Sequence, residues 1–225
     1  MPKSASEGNP PSRSSYYAAM RALALEKRLC HNVTSAKIDL PFMARIYKAE
    51  RIKIDRRNLK GYRIRASYFC DNDDFSVLLK NNMPREPKIF ALAHELKHHY
   101  ADQAAIINGT IRCGDYNRNE LIEKAAEVFA AEFIYPEAEM IRDAKQMDIR
   151  VGSCSPEDVV RFKMKRFAPV SYTFIIKRFE WFGFFEPRSY DDVQFTKLEE
   201  RMYGLPIYKQ EWFKKSRRSK SEPNK

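Results

Sequence analysis

Residues 91–103, ALAHELKHHYADQ, constrain this chain more than any other stretch. Two of the four histidines, His94 and His98, stand four apart around Glu95. In a helix of about 3.6 residues per turn both imidazoles share one face, one turn apart, with Glu95 just beside them. That is metal-ligand spacing: two neutral imidazoles can hold zinc while the glutamate stays off the metal, free to move a proton. Ile89, Phe90, Leu92, Ala93 and Leu96 make the same helix apolar enough to be buried, and Pro84 and Pro87 lead into it.

A catalytic zinc also needs a third protein ligand and an open position. Downstream, NELIEKAAEVFAAEFIYP is rich in alanine, strongly helical and stopped by Pro136. It carries Glu123 and Glu127, four apart on one face. One can bind the metal while the other accepts the remaining ring N–H of a ligating histidine. The bland alternative is a pair of solvated helix acids next to Lys124.

The four cysteines, Cys30, Cys70, Cys113 and Cys154, form no C-x-x-C pair and read as free thiols, so metal binding rests on the histidines. The formal charge of +11 suggests nucleic acid until it is located. Residues 214–225, KKSRRSKSEPNK, hold six Lys or Arg against one Glu, which reads as a solvated basic tail. No run approaches the roughly 18 apolar residues of a membrane span. The stretch MPKSASEGNPPSRSS lacks the apolar centre of a secretion signal, so a cytoplasmic location and no membrane partner are expected.

With 44% hydrophobic residues in 225, the chain can bury one core with an appendage. Residues 1–14 are expected to be a disordered tail. A first helix follows with Tyr17, Met20, Leu23, Leu25 and Leu29 on its apolar face, then a second in DLPFMARIYKAE, capped by Asp39. RIKIDR, GYRIRASYF and FSVLLK read as a small antiparallel three-stranded sheet. Helices, small sheet, helices is an α+β order. The expected organisation is a domain over 15–142, a helical C-terminal segment over 143–210 and a basic disordered tail over 211–225.

FALAHELKHHY followed by EKAAEVFAAEFIYP resembles the ImmA/IrrE family of metallopeptidases, whose zinc helix is followed by a Glu-x-x-Ala-Asn-x-Phe-Ala-Ala-x-Leu-Leu-Met-Pro-like helix. FSVLLKNNMPREPKIF is similar to the family's strand and turn into the zinc helix, and FAPVSYTFIIKRFEWFGFF to its later Val-Ser helical segment. The resemblance implies a zincin-like core of the type with a glutamate ligand, holding one zinc. His94, His98 and Glu123 are then the ligands, Glu95 the general base, and Glu127 the acid that orients His94. Glu123 is preferred to Glu127 because it stands six residues before Phe129, where the family has its ligand. Lys97 replaces the family's usual glycine, and because a cation facing zinc is costly it is expected to point to solvent. The resemblance further implies a regulatory protease that cleaves a helix-turn-helix repressor under an inducing signal.

Zinc chemistry leaves an oxyanion donor to be found, and His99, Tyr100 and Tyr116 are candidates. His31 reads as structural. FSVLLK reads either as an edge strand that receives an extended substrate or as an interior strand. Zinc is the default ion, with manganese or iron as alternatives. Two rival functions stand beside the protease. One is a DNA-binding regulator, from the helix-turn-helix look of SPEDVVRFKMKRFAPVSYTFIIKRFEWFG with Lys177 and Arg178; it is disfavoured because its second helix is crowded with apolar residues. The other is a non-catalytic metal sensor or toxin-antitoxin component, disfavoured because such a site has no need of Glu95.

Overall fold

The computed structural model describes residues 12–36, 38–59, 64–71, 74–111, 120–166, 169–206 and 209–211. The basic tail beyond 211 and the first eleven residues lie outside these. The chain divides into two compact units, residues 1–143 with 167–171, and residues 144–166 with 172–225.

The first unit opens with α1, Arg13–Cys30, so the helix begins inside the stretch expected to be a disordered tail. Ser12 starts it, its side chain accepting the Ser15 N–H. Its buried face is Met20, Ala24 and Arg28, whereas Leu25 is exposed and Leu29 is 80% exposed. Of the expected apolar face Met20 is buried and Tyr17 and Leu23 are half-buried, so the correction falls on Leu25 and Leu29. The reason is a specific bond: Arg28 Nη1 donates to the Phe133 carbonyl at 2.6 Å, and Nη2 lies 3.5 Å from Glu139 Oε2. Phe133 lies in the last turn of α5, Glu120–Ile134, where carbonyls have no partner within the helix. Capping one of them with a buried guanidinium sets the Met20, Ala24 and Arg28 face of α1 against α5.

After α2, Leu40–Ala49, whose Asp39 cap accepts the Phe42 N–H at 2.8 Å, come β1, Ile52–Arg57, β2, Ala66–Asp71, and β3, Asp74–Lys80. The sheet order is β1-β3-β2. β2 runs antiparallel to β3 from Ala66 opposite Leu79 to Asp71 opposite Asp74, but β1 runs parallel to β3 from Ile52 opposite Phe75 to Arg57 opposite Lys80. The three-stranded sheet is thus mixed rather than wholly antiparallel. Composition explains the order: β3 carries Phe75, Val77, Leu78 and Leu79 and takes the centre, while β1 exposes Lys53, Asp55, Arg56 and Arg57, charges that suit an edge. FSVLLK is accordingly an interior strand.

Tyr68, Val77 and Leu79 are buried on the sheet face that meets α3, Arg85–Ala101. α3 also packs on α2 and α5, and its buried residues Ile89, Ala91, Leu92, Ala93, Glu95, Leu96, Lys97, His98 and His99 go all round its circumference. Facing it, α5 buries Ala125, Ala126 and Ala130, small side chains that allow close approach, with Phe129 and Phe133 stacked 5.6 Å apart. α4, Gln103–Ile107, follows α3 directly, and α6, Glu137–Lys145, follows α5.

The second unit holds α7, Pro156–Arg166, α8, Tyr172–Trp181, and α9, Phe195–Tyr203. Ser155 and Asp158 cap α7 reciprocally, Asp158 Oδ2 accepting the Ser155 N–H at 2.9 Å and Ser155 Oγ accepting the Asp158 N–H at 3.2 Å. Phe162, Phe179 and Phe184 form its aromatic centre. Among the described residues no helix is long and apolar enough to cross a membrane.

The α1 geometry sets a stability contrast. Arg28→Ala, which leaves the Phe133 carbonyl without its buried donor and Glu139 without its buried cation, is expected to cost about 1–3 kcal/mol, and Leu29→Ala less than about 0.5 kcal/mol. Urea unfolding of the two variants checks it; equal losses would restore the leucine face.

Candidate metal centre

The period of α3 places His94 and His98 side by side, with their Nε2 atoms 3.4 Å apart. The first turn of α5 brings Glu123 to them: Oε2 accepts from His94 Nε2 at 3.1 Å, and Oε1 lies 3.8 Å from His98 Nε2. These three residues are the group of metal-ligating side chains that converges among the described residues, each offering one atom within 4.8 Å of the others. Donors about 2.1 Å from a tetrahedral ion lie about 3.4 Å from one another, and the two imidazole Nε2 atoms stand at that spacing, with the Glu123 carboxylate close enough to complete the set around one small cation. Two imidazoles and one carboxylate are a zinc donor set.

Glu95 is 5% exposed, and its Oε2 has no hydrogen-bond partner among the described residues. Burial raises its pKa, an effect that the neighbouring His94 and His98, and a hydrogen bond from the Tyr68 backbone in β2, reduce but do not cancel. At His94 burial opposes the charged form, but the bond to Glu123 and the fields of Glu95, Glu123 and Glu127 outweigh it, so its pKa is raised.

The acid that meets a ring N–H of the pair is Asp102. Its Oδ2 accepts from His98 Nδ1 at 2.7 Å, which directs Nε2 toward Glu123. Burial would raise the Asp102 carboxyl, yet the bonds from His98 and Lys97 hold it below its ordinary value. Glu127, expected against His94, instead accepts from Lys124 at 3.2 Å and reaches the histidine only through its field. Asp102 was legible in principle, since it follows His98 by one helical turn.

Lys97 is fully buried rather than turned to solvent, and its Nζ donates to Asp102 Oδ2 at 2.6 Å. The reason is that α3 has no solvent face at this position. The proposed oxyanion donors are also engaged elsewhere. His99 Nδ1 accepts from Tyr68 and Gln103, each at 3.0 Å, and Nε2 lies 3.5 Å from Glu50. Tyr100 donates to Glu50 Oε1 at 3.0 Å and lies 2.8 Å from His31 Nε2. Neither is bonded to a member of the triad. Tyr116 lies outside the described residues. Glu50, the hub of this second cluster, left no signal in the sequence because its partners come from two distant places, His31 at the end of α1 and His99 and Tyr100 on α3.

In the second unit, Arg178 is buried with its guanidinium over the Phe182 ring, while Lys177 is exposed. The basic pair that suggested groove reading is therefore divided between core and surface.

A buried His-His-Glu triad with an unligated carboxylate beside it, set on a helix against a small sheet, is the arrangement of a metallopeptidase. The family model for the IrrE N-terminal-like domain, a peptidase family, matches residues 48–180, more than half of the chain. The chain belongs to this family, and with it to the metallopeptidases of the ImmA/IrrE kind. No curated protein matches the chain.

The parent is expected to carry about one zinc per chain and Glu123→Ala to lose most of it, as elemental analysis would show. Because the His94 pKa is raised, a proton competes with the metal above the ordinary imidazole value of 6.5. Metal affinity should therefore start to fall above pH 6.5 as pH is lowered; an onset at or below that value in a chelator competition would contradict the geometry.

Proposed function

We propose that the protein is a zinc-dependent endopeptidase that acts as a regulatory protease on a helix-turn-helix repressor. The observation that carries the peptidase chemistry is the convergence of His94 Nε2, His98 Nε2 and the Glu123 carboxylate around one point, with the open oxygen of Glu95 beside it. His94, His98 and Glu123 would hold the ion. Zinc bound there supplies a Lewis acid that acidifies water and polarises a peptide carbonyl.

Glu95 does the proton work. Its buried carboxylate Oε2 takes the proton of the attacking water and returns it to the departing amine. A raised pKa suits both halves of that exchange, because the group binds a proton more readily than an exposed glutamate and still releases it. The Tyr68 N–H holds the side chain from the β2 side. Because β3 is interior, β2 is the edge strand beside Glu95, and an extended substrate is received there by backbone pairing. The peptidase domain is taken as residues 15–142, with 143–210 serving the protein substrate. Repressor cleavage rests on the family relationship and on the exposed Trp181 and Lys177 of α8, which suit protein docking better than reading bases.

The test is Glu95→Gln. Cleavage of the repressor should fall by at least about 10²-fold with the metal content unchanged. The raised Glu95 pKa means that its ionisation opposes folding: the associated stability is present below the unfolded-state pKa and is lost as pH rises through the folded one. Glu95→Gln should therefore melt at a higher temperature than the metal-free parent at neutral pH. Undiminished cleavage by the variant would exclude Glu95 as the base.

A further inference from the structure

Lys97 is a fully buried cation in the only helix that carries two members of the triad. An ammonium has three N–H donors, and losing it from water without partners is costly. All three are accounted for. Nζ is 2.6 Å from Asp102 Oδ2 and 3.4 Å from the Ile122 carbonyl, and it lies 5.7 Å from the centre of the Tyr16 ring, within cation–π range.

Two of these partners belong to the metal centre. Asp102 Oδ2 is the same atom that accepts from His98 Nδ1 at 2.7 Å. Ile122 immediately precedes Glu123 in the first turn of α5. A single ammonium thus bonds the carboxylate that orients one ligand and the backbone that presents another. Neither bond is local to one helix turn: Asp102 lies past the end of α3, and Ile122 belongs to a helix 25 residues away in sequence.

We propose that Lys97 is a positioning residue of the metal centre, clamping Asp102 and the start of α5 so that His98 Nε2 and the Glu123 carboxylate face each other. This rests on the zinc-peptidase reading above. Without the clamp, Asp102 keeps its bond to His98 but loses the charge that fixes its rotamer, and Glu123 loses its tie to α3. The Lys97 side chain touches no reacting atom and acts only through these two groups.

The experiment compares the full-length parent with Lys97→Met, Asp102→Asn and the double variant, using zinc affinity from chelator competition, the visible spectrum of the cobalt(II) form and the melting of the metal-free protein. Lys97→Met should weaken zinc by about 10- to 100-fold and alter the cobalt d–d bands. Because part of the effect passes through Asp102, the double variant should lose less than the two single losses combined. Unchanged zinc affinity and cobalt spectrum in Lys97→Met, with only a lower melting temperature, would reduce Lys97 to a packing residue and overturn the proposal, as would strictly additive losses. Should Lys97→Met not fold, Lys97→Gln, which keeps a donor without the charge, is read against the same limits. A parent that takes up neither zinc nor cobalt would instead overturn the metal centre itself, and the clamp with it.

Discussion

The burial of α3 on all sides is the constraint from which the rest of the structure follows. A helix without a solvent face is usually apolar throughout, yet this one carries Glu95, Lys97, His98 and His99 into the interior. Each polar group taken from water without a partner costs on the order of 1–3 kcal/mol. The surrounding elements are accordingly arranged to supply partners: Asp102 for Lys97 and His98, Glu123 for His94, and Glu50, Tyr68 and Gln103 for His99. The alanines of α5 serve the same end, because a bulkier face would hold Glu123 away from the histidines.

The four histidines fall into two clusters with different characters. His31 and His99 share Glu50 with Tyr100, and Tyr68 bonds the far nitrogen of His99. Donors and acceptors alternate there, and burial lowers the His99 pKa despite the opposing field of Glu50. That cluster joins α1, α2, α3 and β2 and is complete in itself. In the other, His94, His98 and Glu123 turn their ligand atoms toward one another. Acceptors crowded around one point call for a cation, and Glu95 stands beside that point with an oxygen to spare. The contrast between a satisfied network and a converging one distinguishes scaffold from site more clearly than histidine content does.

Two departures from expectation share one cause. The solvent-facing expectation for Lys97 weighs only the cost of a cation facing zinc, and the apolar face expected of α1 weighs only its own periodicity. In both cases a polar partner far along the chain, Asp102 with the Ile122 carbonyl for Lys97 and the Phe133 carbonyl with Glu139 for Arg28, outweighs the local preference. A long cation can be buried when a carboxylate and an orphan carbonyl wait for it. The strand order has a similar origin, since β1 and β2 both seek the apolar β3, which then occupies the centre.

By itself the sequence determined what depends on spacing along one element: the shared face of His94 and His98, the Asp39 cap, the breaks at Pro84 and Pro136, and the α+β order that the family match supports. These are consequences of helical and strand period, which a few adjacent residues set. Tertiary structure alone decided the meeting of Glu123 with the histidine pair across 29 residues, the pairing of Glu127 with Lys124 rather than with His94, the burial of Lys97 and the mixed sheet. Those depend on which faces of separate elements come together, and burial governs that choice by penalising charges carried inside without a partner, with the Glu95 oxygen left open at the site.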